Sequence, residues 1–126
     1  MLDHISLGVK DIERSRQFYD VVLKTLGYER LMNFPNASGY GKPDQPAFWI
    51  GEGEQGNMVT VGSGVHIAFI AESRQAVDNF YNEAIKAKAQ DNGKPGLRPH
   101  YHPNYYGAFV IDLDGHKIEA VCRKPA

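Results

Sequence analysis

The stretch His4-Ile5-Ser6-Leu7-Gly8-Val9 recurs 62 residues later as His66-Ile67-Ala68-Phe69-Ile70-Ala71. At the same offset, Phe18-Tyr19 recurs as Phe80-Tyr81. Two shared dipeptides at one spacing are hard to obtain by chance, and repetition of this kind indicates two copies of one structural unit. We therefore interpret the 126 residues as a single domain built from two modules, residues 1–62 and residues 63–126.

Each module begins with a strand and continues with a helix. Apolar residues alternate in residues 2–9 and 64–71, which is typical of a strand with one buried face. Asp11 and Ser73 then stand where a helix N-cap is expected, and apolar residues follow at helical spacing as far as Gly27 and Lys88. Three strand-like runs follow each helix, at residues 28–34, 37–41 and 47–51, and at residues 89–92, 105–112 and 117–123. The pattern predicts an α+β fold of two tandem βαβββ modules, with residues 92–104 as the longest irregular stretch.

Composition argues against several classes of protein. Apolar residues make up 42% of the chain, which is enough for a packed core. The net charge of −1 argues against a nucleic acid or an anionic membrane as partner, and no apolar run is long enough for a transmembrane helix. Cys122 is the one cysteine, so an internal disulfide and a cysteine-rich zinc site are excluded. With no secretory signal visible, we expect a cytoplasmic protein.

Three ionisable side chains are predicted to share one face of a curved sheet. His4 and His66 lie on the first strand of each module, opposite the apolar residues that would pack on the helix, and Glu119 lies opposite the apolar face of the last strand. Imidazole and carboxylate groups suit Zn, Fe, Mn, Ni or Co, and three protein ligands leave positions open for substrate or water. The alternatives are hydrogen-bonded structural histidines and a surface ion pair of Glu119 with Lys117 or Arg123.

The doubled pattern, the two histidines and the ending Asp112-Leu113-Asp114-Gly115-His116-Lys117-Ile118-Glu119 resemble the glyoxalase/bleomycin-resistance/extradiol-dioxygenase superfamily, also called vicinal oxygen chelate proteins. The resemblance covers nearly the whole chain. It implies a cup-shaped sheet around a divalent metal, with the helices on the outer face and with His4, His66 and Glu119 as ligands. In many members the cup forms across a homodimer, which implies His4 from one subunit and the other two ligands from the second.

One position departs from the pattern of glyoxalase I, in which the last strand of the first half supplies a fourth ligand, Glu or Gln. Aligning Phe48-Trp49-Ile50 with Ile118-Glu119-Ala120 places Trp49 in that slot. An indole has only an N–H donor and cannot ligate a metal. Three ligands are more similar to extradiol dioxygenases and to fosfomycin-resistance thiol transferases. Trp49 is therefore expected to form a wall of the cup that contacts substrate.

Residues 98–106 are dense in polar aromatic side chains. We expect Arg98, His100 and Tyr101 to contact substrate, with Arg98 meeting an anionic group. Tyr105 and Glu119 are the candidates for catalytic proton transfer. The alternative is that the prolines stiffen this loop and its tyrosines pack at a dimer contact. His100 and His102 form an H-x-H pair, which is an alternative metal site.

Two motifs in the chain do not support the functions that they resemble. Residues 51–56 match G-x-G-x-x-G, but no helix is expected after them, and the acidic side chains of Glu52 and Glu54 would repel a pyrophosphate. Asp112-x-Asp114 begins like a calcium-binding loop, but Lys117 stands where that loop needs a glycine. We interpret the first motif as a loop and Asp114-Gly115 as a hairpin turn.

The sequence therefore predicts a glyoxalase-like metalloenzyme that acts on a small molecule with two nearby oxygens. Lyase, isomerase, thiol transferase and dioxygenase reactions all remain open at this point. The alternative is a metal-free protein of the bleomycin-resistance type, which binds and sequesters a small molecule.

Overall fold

A computed structural model describes residues 1–53 and 58–126. The second half of the G-x-G-x-x-G segment lies outside these described residues. Within them no helix is long and apolar enough to cross a membrane. The elements of the first module are β1 (Ile5–Val9), α1 (Ile12–Lys24), β2 (Glu29–Phe34), β3 (Ala37–Lys42) and β4 (Gln45–Glu52), and those of the second are β5 (Ile67–Ile70), α2 (Arg74–Lys86), β6 (Gln90–Leu97), β7 (Tyr106–Ile111) and β8 (Lys117–Cys122).

The two modules have the same sheet topology. The N-terminal sheet has the strand order β1-β4-β3-β2, and the C-terminal sheet has the order β5-β8-β7-β6. In each sheet the first strand pairs in parallel with the last, and the other pairs are antiparallel. The prediction of two tandem βαβββ modules is confirmed. The strands β1 and β5 each lie at an edge of their sheet.

Both predicted helix starts are confirmed by their capping bonds. The side chain of Asp11 accepts a hydrogen bond from the backbone N–H of Arg14, and the side chain of Ser73 accepts one from that of Ala76. These bonds satisfy two of the N–H groups that the first turn of a helix leaves without a partner.

The irregular stretch predicted at residues 92–104 is wrong over its first half, because β6 continues to Leu97. Pro95 is tolerated there because β6 is the edge strand of its sheet and one side of its backbone needs no ladder bond. The pairing of β6 with β7 shifts register on either side of Gly93, and these irregularities accommodate the glycines, which form strands poorly. The connecting loop is therefore only residues 98–105, closed by a hydrogen bond from the backbone N–H of Arg98 to the carbonyl of Tyr105.

Each helix covers one face of its own sheet and leaves the other face open. Helix α1 packs on β2, β3 and β4, and α2 packs on β6, β7 and β8. The helices also contact each other, and the buried residues of both covered faces form one hydrophobic cluster. The faces without a helix, which we call the open faces, therefore lie on the outside of this shared core.

The turn between β7 and β8 joins the two modules. The carboxylate of Asp114, whose side chain is only 1% exposed, accepts hydrogen bonds from the backbone N–H of Lys10, the guanidinium of Arg14 and the hydroxyl of Ser15. From the same turn, the Nε2 atom of His116 lies 2.7 Å from the carbonyl oxygen of Gly8. The start of α1 is thus held by a turn that is about a hundred residues away in the chain.

Asp112 stabilises the same turn through hydrogen bonds to its backbone. Its buried carboxylate accepts hydrogen bonds from the backbone N–H groups of Asp114 and His116 and from the hydroxyl of Tyr19 on α1. Burial, followed by the charge of Asp112, raises the pKa of Tyr19 well above its usual range, so this hydroxyl is a donor at neutral pH. The prediction that Asp114-Gly115 forms a hairpin turn is confirmed, since Gly115 has a φ of 98°.

We expect Asp114→Ala to lower the free energy of unfolding by about 1–3 kcal/mol, since it leaves a main-chain N–H and a hydroxyl without an acceptor between the modules. Urea unfolding followed by circular dichroism measures the change. Asp44→Asn is the matched control, because Asp44 is exposed and its φ of 70° is one that asparagine tolerates. Equal stability of Asp114→Ala and the control would contradict this role.

Candidate metal and substrate site

The open face of the C-terminal sheet carries Glu119. The helix-covered side of β8 holds Ile118, Ala120 and Cys122, so Glu119 projects from the opposite side, as predicted from the alternation. It pairs with Ala68 on one neighbouring strand and with Phe109 on the other. Although it lies on this face, Glu119 is only 1% exposed.

The two carboxylate oxygens of Glu119 have different surroundings. Oε2 accepts a hydrogen bond from the hydroxyl of Tyr105. Oε1 lies 3.1 Å from Nε2 of His66, but it accepts no hydrogen bond from any group in the described part of the chain. Buried carboxylate oxygens are normally paired, because removal of a charge from water is costly. The hydrogen bond from Tyr105 therefore holds Oε2 in place, whereas Oε1 has no hydrogen-bond donor among the described residues.

Space for this arrangement comes from a glycine on the adjacent strand. A Cβ atom added at Gly107 would lie 3.2 Å from Oε2 of Glu119 and 3.2 Å from the ring of Tyr105. Such contacts are tighter than about nine in ten real Cβ contacts, so a side chain at Gly107 would require Tyr105 or Glu119 to shift by a few tenths of an ångström.

Burial, followed by the hydrogen bond to Glu119 and its charge, raises the pKa of Tyr105 to about 12. The Arg123 guanidinium lies 5.1 Å from the centre of the Tyr105 ring and opposes this shift only in part. At neutral pH Tyr105 is therefore protonated and acts as a hydrogen-bond donor, not as a base.

His4 lies on the other module. It precedes β1 by one residue, as His66 precedes β5, so both predicted strands begin a few residues late. The imidazole is about half exposed, and its Nδ1 lies 2.6 Å from the carboxylate of Asp3. Across residues 1–53 and 58–126 no three histidine, cysteine, aspartate or glutamate side chains of one chain are close enough to hold a metal.

A cleft of about 550 Å³ runs between the two modules. His4 and His66 both line it, together with Phe48 and Phe69 from the two sheets. Glu119 is not part of its lining. The cleft therefore reaches His66 but not the carboxylate of Glu119.

Trp49 occupies the position that matches Glu119. Trp49 pairs with Ser6 on β1, as Glu119 pairs with Ala68 on β5, which supports the alignment made from sequence. On the open face its indole stacks on Phe34, with ring centres 6.2 Å apart and planes 24° apart. A Cβ atom at Gly39 would come within 2.8 Å of the indole, so glycine is needed beneath it.

The 98–105 loop brings several predicted residues beside Glu119. The ring centres of Tyr101 and Tyr105 are 5.1 Å apart, and those of His100 and Tyr101 are 4.2 Å apart. Tyr101 is 60% exposed and so is available to a ligand. Nδ1 of His102 instead accepts a hydrogen bond from the backbone N–H of Asn104. That bond gives His102 a structural role in the loop.

Sequence reasoning did not single out Gly107 and Phe109, which share the open face with Glu119. Their spacing of two residues in β7 was visible, but only the register shows that Phe109 lies directly beside Glu119.

Comparison with known proteins identifies the family. Residues 1–120 match the model of the Glyoxalase/Bleomycin resistance protein/Dioxygenase superfamily. The chain belongs to this superfamily. A crystal structure of a glyoxalase/bleomycin resistance protein from Albidiferax ferrireducens T118 is 31% identical, with a TM-score of 0.87 and 99% of each chain covered.

The chain is also similar to two further proteins. The chain is 31% identical to the Bacillus subtilis (strain 168) protein YqjT over 95% of this chain and 97% of that one. The fold is also similar to that of the fosfomycin resistance protein FosX from Listeria monocytogenes, at 20% identity and a TM-score of 0.70, with 97% and 91% of the two chains covered. At that identity the likeness concerns the fold alone.

We expect the Tyr105 hydroxyl to titrate near pH 12, against an ordinary value of 10. The ¹³Cζ tyrosine resonance that disappears in Tyr105→Phe reports this titration. Because the folded-state pKa is raised, the stabilisation from this hydroxyl is complete below about pH 10 and is lost as the pH rises through 12. Glu119→Gln should lower the midpoint but leave it above 10, because burial remains. A wild-type midpoint near 10 would show that the phenol is neither buried nor bonded to Glu119.

Proposed function

We propose that this protein is a divalent-metal-dependent enzyme that acts on a small molecule with two nearby oxygens. The observation that carries the proposal is the buried Oε1 of Glu119, which accepts no hydrogen bond from the described residues and lies 3.1 Å from Nε2 of His66. Divalent-metal sites are common in this superfamily, and the imidazole of His66 and the carboxylate of Glu119 are suitable ligands.

The residues present fit a metal in chemistry and in spacing. Imidazole nitrogen and carboxylate oxygen are ligands for Zn, Fe, Mn, Ni and Co. Two ligand atoms that are each about 2.0–2.2 Å from one ion, at tetrahedral or octahedral angles, are roughly 3–3.5 Å apart. The separation of 3.1 Å between Nε2 of His66 and Oε1 of Glu119 falls in this range. A cation there would also remove the cost of the unpaired carboxylate oxygen.

His4 would supply the third ligand from a second copy of the chain. His4 and His66 of one chain line the same cleft, but Glu119 does not line it, and the described residues of one chain contain no cluster of three such ligands. The strands that follow His4 and His66 are edge strands, and edge strands commonly pair with another chain. Exposed apolar residues lie beside these edges, among them Leu2, Val65 and Ile70. A homodimer in which β1 of one copy meets β5 of the other would bring His4 toward His66 and Glu119.

The side chains around this pair have distinct roles in the proposal. The metal, when bound, supplies stabilisation of negative charge that develops on the substrate oxygens. Tyr105 holds Oε2 of Glu119 and leaves Oε1 free to ligate. Trp49, His100 and Tyr101 form apolar and hydrogen-bonding walls against the substrate.

A metal-free binding protein is the second function that the sequence left open. The stacked pair of Trp49 and Phe34 would suit it, since aromatic rings bind flat ligands without chemistry. However, metal-free binding does not explain a carboxylate that is 1% exposed with one oxygen that accepts no hydrogen bond from the described residues, whereas a bound cation does. We therefore favour the metalloenzyme.

Metal analysis tests the site directly. We expect wild-type protein purified without chelators to hold about one divalent ion per chain, and we expect His66→Ala and Glu119→Gln to lose at least nine-tenths of it, because second-shell changes alone already cost tenfold or more. His100→Ala is the control, because its exposed imidazole is not part of the pair. Full occupancy in Glu119→Gln would contradict the proposal.

A mixed dimer tests whether the site is shared between chains. Heterodimers of a His4→Ala chain and a Glu119→Gln chain, isolated with two affinity tags, should hold one ion per dimer, because one of the two sites retains all three ligands. Each variant alone should hold little. If the three ligands came from one chain, neither site of the heterodimer would be complete, and no ion would be retained.

A further inference from the structure

One row of residues crosses the whole open face of the C-terminal sheet. Ala68 on β5 pairs with Glu119 on β8, Glu119 pairs with Phe109 on β7, and Phe109 pairs with Gly93 on β6. Beside Ala68, His66 reaches Glu119. The row therefore begins with the proposed ligand pair and ends at an edge-strand glycine.

The guanidinium of Arg98 lies close to both Gly93 and Gly96 on β6. A Cβ atom at Gly93 would lie 2.9 Å from the ring of Phe109 and 3.3 Å from Nη2 of Arg98, and one at Gly96 would lie 3.2 Å from Nη1. The guanidinium carbon lies 5.3 Å from the centre of the Phe109 ring. The positive charge is thus stacked on the aromatic side chain beside Glu119, which is a favourable contact for arginine.

Two backbone hydrogen bonds hold Arg98 in this position. Nη1 donates to the carbonyl of Gly96 at 2.7 Å, and Nη2 donates to the carbonyl of Lys94 at 2.8 Å. A guanidinium has five N–H groups, so three have no partner among the described residues. No carboxylate within residues 1–53 and 58–126 forms an ion pair with it. Arg98 is therefore a positively charged group that is held in position and has N–H groups available for a ligand.

From this row we propose a class of substrate: a molecule that carries a carboxylate at one end and the two nearby oxygens at the other, joined by a flat apolar spacer. The inference rests on the proposed function, which places the oxygens at His66 and Glu119. Adjacent strands are about 4.8 Å apart, so Glu119 and Gly93 are about 10 Å apart. The spacer lies along Phe109, and the carboxylate accepts hydrogen bonds from Arg98.

A carboxylate fits this position better than a phosphate. A single guanidinium balances one negative charge and matches a carboxylate in a planar, two-bond geometry. The neighbouring cation, Lys94, is exposed and adds little at physiological salt. Phosphate monoesters carry nearly two charges, which this site leaves half balanced.

The test compares 3-(3,4-dihydroxyphenyl)propanoate with its neutral amide on zinc-loaded protein by isothermal titration calorimetry. Both probes have the same catechol oxygens. We expect the wild type to bind the acid at least tenfold more tightly than the amide, as for a charge-assisted hydrogen bond. Arg98→Gln should bind both with the affinity that the wild type has for the amide, and its amide binding also shows that the variant is folded. Arg98→Lys should retain only part of the preference for the acid, since lysine keeps the positive charge but cannot form the planar pair of hydrogen bonds that a guanidinium forms with a carboxylate.

Lys94→Gln is the matched control, because it removes a charge from the same strand and leaves the carbonyl that Arg98 uses. We expect it to keep the full preference for the acid. Equal binding of acid and amide by the wild type, or a preference that survives Arg98→Gln, would overturn the inference and leave the proposed metal site standing. Failure of the amide to bind the zinc-loaded wild type would instead contradict the proposed function, and the inference would fall with it.

Discussion

The buried carboxylate of Glu119 is the constraint on which the open face of the C-terminal sheet depends. Its side chain is almost fully removed from water, with one oxygen bonded to Tyr105 and the other beside His66 without a hydrogen bond. A buried charge with only one hydrogen-bonded oxygen costs stability, and a bound cation would offset that cost. Glycine at position 107 suits this arrangement, since a Cβ atom there would crowd both Tyr105 and Glu119.

The segment that is most typical of the family combines a structural and a chemical role. Asp112, Asp114 and His116 tie the two modules together, and Glu119 follows within the next strand. The same short stretch thus sets the packing of the modules and the position of the carboxylate. Because of this coupling, a change in the turn would move β8 and Glu119 with it.

Much of the fold could be predicted from the sequence, because it depends on local signals. The N-caps at Asp11 and Ser73 and the alternation in the strands gave the modules and the face on which Glu119 lies. The end of β6 was missed because Gly93, Pro95 and Gly96 are normally breakers, and only its place at the sheet edge makes them tolerable. The pairing of Tyr105 with Glu119 depends on register and on a loop, neither of which is encoded locally.

The distance between His4 and the pair of His66 and Glu119 could not be predicted from their spacing in the sequence either. It depends on how the two modules pack around one core.

The central claim is that Oε1 of Glu119 ligates an ion together with Nε2 of His66. Anomalous X-ray diffraction from crystals of the zinc-loaded protein tests it most directly. The account predicts an anomalous peak about 2.0–2.2 Å from both atoms. A peak elsewhere, with Oε1 bonded to a protein group, would contradict it.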